Sequence, residues 1–159
     1  MNYLIGMFLE KIKNQQKFRK ISLKEEKGET LIDYKPLILA RDDSIHTAIT
    51  KMIGEKKSCA LIVNGDKEIV GILTERDIFR KIAGLELDER LIYKVCTIMT
   101  YPIRFCQDKD ILPQVKDLHL NYGVRHFPIL KVGALPHLEN LVGMVSVTAI
   151  FKYLLSRSK

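Results

Sequence analysis

The sequence predicts an α+β fold: two pseudo-symmetric strand–helix–strand–strand–helix repeats packed face to face, preceded by an N-terminal amphipathic helix. Three observations predict it. A motif in the middle of the chain recurs near its end, a helical apolar pattern lies upstream of each copy, and short β-prone runs flank each pattern.

The repeat is seen by writing IVGILTERDIFRKI (Ile69 to Ile82) above LVGMVSVTAIFKYL (Leu141 to Leu154). Gly71 falls on Gly143, Val70 on Val142, Thr74 on Ser146, Ile78-Phe79 on Ile150-Phe151 and Arg80 on Lys152. Agreement in character at most positions marks a duplicated supersecondary unit.

The elements follow in order. Residues 1–29 form an N-terminal segment in which Tyr3, Leu4, Met7, Phe8, Lys11 and Ile12 lay an apolar stripe along one helix face. That stripe needs a cover: the chain's own core, a homodimer interface, or a groove on a regulated protein partner. Residues 30–84 form the first repeat. PLILA (Pro36 to Ala40) reads as a strand, Ser44 as the cap of a helix carrying Ile45, Ala48, Ile49, Met52 and Ile53, and CALIV (Cys59 to Val63) as a second strand. Asn64-Gly65-Asp66-Lys67 reads as a tight N-G hairpin turn with its positive φ on the pair Asn64-Gly65. Residues 85–99 read as a linker with a short helix. The second repeat, 100–156, brings the strand PIRFC (Pro102 to Cys106), a helix capped by Asp110 with Ile111, Val115, Leu118 and Tyr122, the strand HFPIL (His126 to Leu130), and a longer surface loop, KVGALPHLEN. A half of about 60 residues is marginal alone, so the two halves are expected to share a core.

Composition limits what such a chain can do. With 47% apolar and 28% charged residues in 159, it has the balance of a globular protein rather than a disordered one. No apolar run is long enough to cross a bilayer and the start lacks the layout of a secretory signal, which predicts a cytoplasmic protein. Cys59, Cys96 and Cys106 show no C-x-x-C spacing and read as reduced structural thiols, and four scattered histidines lack metal-ligand spacing. A net charge of +7 favours anionic partners, although the N-terminal lysines lack the interleaved aromatics of a nucleic-acid platform. Nucleophile elbow, P-loop and dinucleotide fingerprint are all missing, which points away from an enzyme.

The element order, with GILTERD, VRHFPIL and the segment CTIMTYP, resembles the CBS (cystathionine-beta-synthase) domain pair over residues 30 to 155. The resemblance implies a regulatory module that binds an adenosine nucleotide, needs no cofactor and forms homodimers. Carried over by position, Thr74 and Asp77 hold a ribose, Arg76, Arg125 and His126 face phosphate, and Leu37 and Leu39, with Ala60 nearby, border the base. A carboxylate accepting from vicinal hydroxyls and a guanidinium fork on phosphate are sound chemistry, and a helix beginning at Glu75 aims free N–H groups at an anion. Thr74 to Asp77 equally reads as a capping box, and leucines in a strand equally read as core.

The second copy, GMVSVTA, has Ser146 but carries Ala149 where the acid belongs, and Ser58 and Cys59 stand where Arg125 and His126 do. One competent site per chain is therefore expected. The ligand stays open among AMP, ADP and ATP, with NAD and S-adenosylmethionine as further adenosyl compounds. Two other readings stand beside nucleotide sensing: a ligand-free dimerisation scaffold, and a nucleic-acid-binding protein using its basic surface.

Overall fold

The computed structural model describes residues 31–83 and 92–156. Two three-stranded sheets with their helices give a mixed α+β fold built as two compact units. The N-terminal stripe of residues 1–29 and residues 85–91 of the linker lie outside the described residues. The first unit is Lys35–Ile103 with Ala134–Leu141; the second takes Arg104–Gly133, the chain from Val142, and the stretch ending at Tyr34.

In the first unit β1 (Leu37–Ala40) leads through α1 (Ile45–Gly54) to β2 (Cys59–Val63), β3 (Ile69–Thr74) and α2 (Glu75–Ile82). β1 lies parallel to β2, with Leu37 opposite Ala60 and Leu39 opposite Ile62, a pairing that requires the crossover α1 supplies. β2 runs antiparallel to β3, with Cys59 opposite Thr74. Side chains alternate along β1, so Leu37 and Leu39 are buried while Ala40 is exposed. They pack with Ile45, Ala48, Met52, Ile62, Leu73 and Ile78. Ser44 caps α1 as its sequence position predicts, its Oγ accepting from the Thr47 N–H at 3.0 Å.

The β2–β3 turn differs from expectation. Gly65 does not carry the positive φ; Lys67 does, at 62°. Asn64 closes the turn with its side chain: Oδ1 accepts from the N–H groups of Asp66 and Glu68 at 3.0 and 2.9 Å, and Nδ2 donates to Glu68. The Asn64 carbonyl accepts from Lys67 N–H. A side chain that imitates a backbone turn displaces the left-handed residue toward the end of the loop.

The described part of the linker holds a single 3-10 turn, Val95–Thr97. It is tied to the loop before α1: Val95 N–H donates to the Asp43 carbonyl and Ile45 N–H to the Tyr93 carbonyl, both at 2.8 Å. Residues Ala134–Asn140 of the long second-repeat loop belong to the first unit, where Ile69 N–H donates to Pro136 O at 2.7 Å. His137 Nδ1 accepts from Glu139 N–H, and its Nε2–H then donates to the Asp66 carbonyl at 2.8 Å.

The second unit contains β4 (Cys106–Gln107), α3 (Ile111–Tyr122), β5 (His126–Leu130), β6 (Leu141–Ser146) and α4 (Val147–Ser156), in sheet order β4-β5-β6. Its core gathers Ile32, Cys106, Ile111, Val115, Phe127, Ile129, Val145, Ile150 and Leu154. Two expectations are corrected. The strand read over Pro102 to Cys106 is only Cys106–Gln107, since a proline cannot donate to a ladder. Asp110 is left-handed, with φ 51°, and its side chain makes no cap hydrogen bond. Gln114 instead ties the preceding loop to the helix: its amide nitrogen, Nε2, donates to the carbonyls of Lys109 and Asp110, while its Oε1 accepts from Gln107 N–H at 2.9 Å.

Candidate functional site

The junction of β3 with α2 gathers the strongest cluster of polar side chains that the sequence singled out. Strand β3 delivers Thr74 in extended conformation, and its hydroxyl oxygen accepts from the Asp77 N–H at 3.3 Å. In return Asp77 Oδ2 accepts from the Thr74 N–H at 2.9 Å and from the Thr74 hydroxyl at 2.7 Å. The reciprocal capping box is thus present, and it fixes the carboxylate at the positive end of the helix dipole. Thr74 and Asp77 are half-buried and Arg76 is exposed, so the box faces solvent with a cation beside it.

Sequence reasoning missed one residue here, Thr100. Its hydroxyl donates to Asp77 Oδ1 at 3.3 Å, so both carboxylate oxygens have a donor. Backbone pairing puts it there: Ile72 N–H donates to Thr100 O at 3.1 Å and Thr100 N–H to Ile72 O at 2.8 Å. Its only sequence signal was membership of CTIMTYP, the segment opening the second repeat.

The other expected residues fall in two places. Leu37, Leu39 and Ala60 are core residues of the same unit, at 5%, 1% and 0% exposure, with Leu37 facing Ala60 across the sheet. Arg125 and His126 belong to the second unit, where His126 opens β5 and Arg125, exposed, precedes it. The Arg125 carbonyl accepts from Val147 N–H at 3.0 Å, as the Ser58 carbonyl accepts from Glu75 N–H at 3.2 Å, which makes Arg125 and Ser58 equivalent positions in the two repeats. In the second copy Ser146 Oγ accepts from Ala149 N–H at 3.1 Å, and the reciprocal half of the box is missing because Ala149 has no acceptor.

Among the described residues no group of three His, Cys, Asp or Glu side chains could hold a metal, and no helix is long and apolar enough to cross a membrane. Cys106 is buried in the second core, which pushes its thiol up to about 12, far from nucleophilic reactivity near neutral pH.

A duplicated β-α-β-β-α unit with a hydroxyl–carboxylate box at one strand–helix junction defines the chain as a tandem-repeat module. Residues 29–84 match the family model of the CBS domain, and this match together with CBS-domain structural neighbours supports a CBS domain pair. An uncharacterized 17.7 kDa protein of Acidianus ambivalens is 27% identical over 112 residues, which are 70% of this chain. The chain spans 63% of that relative's length. Among solved structures, a protein with CBS domains from Burkholderia ambifaria is 26% identical, with a TM-score of 0.65 covering 91% of this chain and 96% of that one. A CBS domain pair in complex with 5-methylthioadenosine and S-adenosyl-L-methionine shares the fold at 18% identity, TM-score 0.68, over 82% and 96% of the two chains. Another CBS protein, in complex with AMP, does so at 14% identity, TM-score 0.63, over 81% and 96%.

Proposed function

We propose that this chain is a regulatory module that binds an adenosine-containing ligand at the β3–α2 junction, with Thr74 and Asp77 on the ribose and Arg76 toward a phosphate. The observation that carries this reading is the Asp77 carboxylate, held by Thr74 and Thr100 at the start of α2 with an exposed arginine beside it. A ribose diol can take the place of the Thr100 hydroxyl on Oδ1 and still leave the Thr74 bonds intact. The adenosyl ligands of two neighbours of the same fold support the choice of ligand class.

Such a module has no chemistry of its own to perform. Ligand free energy biases the packing of the repeats, of a homodimer, or of a regulated partner, and output follows from that bias. The phosphate roles that the resemblance gives Arg125 and His126, and the base-edge role of Leu37, Leu39 and Ala60, belong to the same reading, as does a cytoplasmic setting.

Calorimetric titration of the full chain with AMP, ADP, ATP, NAD and S-adenosylmethionine tests it. Asp77→Asn removes a charge-assisted acceptor and should weaken binding by about tenfold or more. Arg76→Ala and Arg125→Ala should weaken ATP and AMP more than S-adenosylmethionine. Failure of all five to bind would sink the sensor reading and leave the dimerisation scaffold.

A further inference from the structure

The Asp77 carboxylate is nearly full before any ligand arrives. An ionised carboxylate offers about four lone-pair positions, divided between its oxygens. On Oδ2 Thr74 takes both, its N–H donating at 2.9 Å and its hydroxyl at 2.7 Å. On Oδ1 the Thr100 hydroxyl takes one, at 3.3 Å. A single acceptor position is left, and a ribose diol needs a pair.

The threonines differ in how readily they give way. Thr74 is locked, because its hydroxyl oxygen also accepts from the Asp77 N–H and its departure would open the capping box. Its short bonds orient the carboxylate by themselves. Thr100 is exposed and makes one long bond, so Asp77 keeps its orientation without it. The Thr100 backbone is held in place: it exchanges both hydrogen bonds with Ile72, at 3.1 and 2.8 Å, and Met99 before it lies against Gly71, where a Cβ would not fit. What is free to move is the Thr100 side chain, by turning about χ1 from one staggered position to another.

We propose that Thr100 is a specificity-determining residue of the ribose site. Its hydroxyl stands in for one ligand hydroxyl on Asp77 Oδ1, so a ligand with a vicinal diol must turn it away, whereas a ligand with a single ribose hydroxyl need not. This rests on the reading of Thr74 and Asp77 as a ribose site. The chain then separates ribonucleotides from 2′-deoxyribonucleotides less sharply than the carboxylate alone would. Thr100 works against the ligand it borders, and its loss strengthens binding, the opposite of losing a ligand contact. The bridge to Ile72 persists through the exchange, so ligand arrival turns a side chain here and leaves the strand pairing in place.

The experiment is calorimetry of the full chain with AMP, ATP and their 2′-deoxy forms, on the unchanged protein, Thr100→Val and Thr100→Ser. Valine keeps the branched shape without the hydroxyl, and serine keeps the hydroxyl. Thr100→Val should bind the ribonucleotide about three- to tenfold more tightly, as one competing hydrogen bond to a charged acceptor is removed. It should bind the 2′-deoxy form as the unchanged protein does, and Thr100→Ser should match the unchanged protein for both. Thr100→Ala repeats the test if a thermal melt shows that valine disturbs the fold. Protection of the Ile72 and Thr100 amides from hydrogen exchange should survive ligand addition. Weaker ribonucleotide binding by Thr100→Val, equal tightening of both forms, no change in either, or loss of that protection overturns the proposal and leaves the sensor reading standing on Asp77. If none of the four nucleotides binds the unchanged chain the proposal falls, and the sensor reading falls with it only when NAD and S-adenosylmethionine fail too.

Discussion

Gly71 lies against Met99: a Cβ on the glycine would stand 2.5 Å from the Met99 Sδ and 3.2 Å from the Thr100 carbonyl. Its repeat mate Gly143 is tighter against backbone, with Ile32 Cγ2 at 2.6 Å and the Asp33 carbonyl at 2.7 Å. The motif glycine is therefore a crossing point, where the strand leading into a repeat passes over a β-strand with no room for a side chain.

The two crossings should respond differently to Ala. At Gly71 the nearest atom ends a flexible methionine that can turn aside, while at Gly143 a paired backbone carbonyl would have to move. Gly143→Ala is expected to destabilise by about 1–3 kcal/mol, as overpacking does, and Gly71→Ala by less. Urea unfolding of the two variants checks the order; equal losses would contradict it.

Thr74→Ala removes the acceptor of the Asp77 N–H and one donor to Asp77, and should cost about 1 kcal/mol, the usual loss of an N-cap. Ser146→Ala removes one cap bond from a box that has no reciprocal half, and should cost less. Thr74→Ser should recover most of the loss. Chemical denaturation gives all three values.

Cys106 sets an alkaline limit. Burial raises its thiol from 9.0 to about 12, so between those values the native chain keeps a proton that the unfolded chain has released. Fewer protons on the unfolded state mean that stability falls as pH rises. The unfolding midpoint should decline above pH 9 and decline less in Cys106→Ala. Ellman's reagent should reach the half-buried Cys59 and Cys96 before Cys106, which should react only as the chain unfolds.

The Lys94 ammonium, 2.9 Å from Asp42, holds that carboxyl below the ordinary range, and Asp42 in turn raises Lys94. Both groups are at the surface, where such pairs add little to stability. Lys94→Ala should shift the Asp42 titration upward by carbon-13 NMR and leave the thermal midpoint unchanged. A drop in the midpoint would mean that the linker depends on this pair.

Local rules carried much of the fold. Alternation in PLILA, the Ser44 cap and the Thr74 box were each legible because the residues that satisfy one another lie within a few positions. The misses have a common physical form. Asn64 closed its turn by side chain, Asp110 turned left-handed and left the helix start without a side-chain cap, and the strand expected from Pro102 began only at Cys106, all choices between competing local conformations. Thr100 was out of reach for another reason: it meets Asp77 through strand crossing, across 23 residues of chain. Leu37, Leu39 and Ala60 were found as core, which is the plain reading of leucine in a strand.

The crossing segments also bear on ancestry and on how the protein can be cut. Asp33 lies at the head of the first repeat yet pairs within the second unit, and Thr100 opens the second repeat yet pairs within the first unit. A gene for a single copy of the repeat would encode a half lacking the segment that roofs its own third strand, and two such products could complete each other only by trading those segments. Duplication within one chain turns that trade from an encounter that depends on concentration into a covalent certainty.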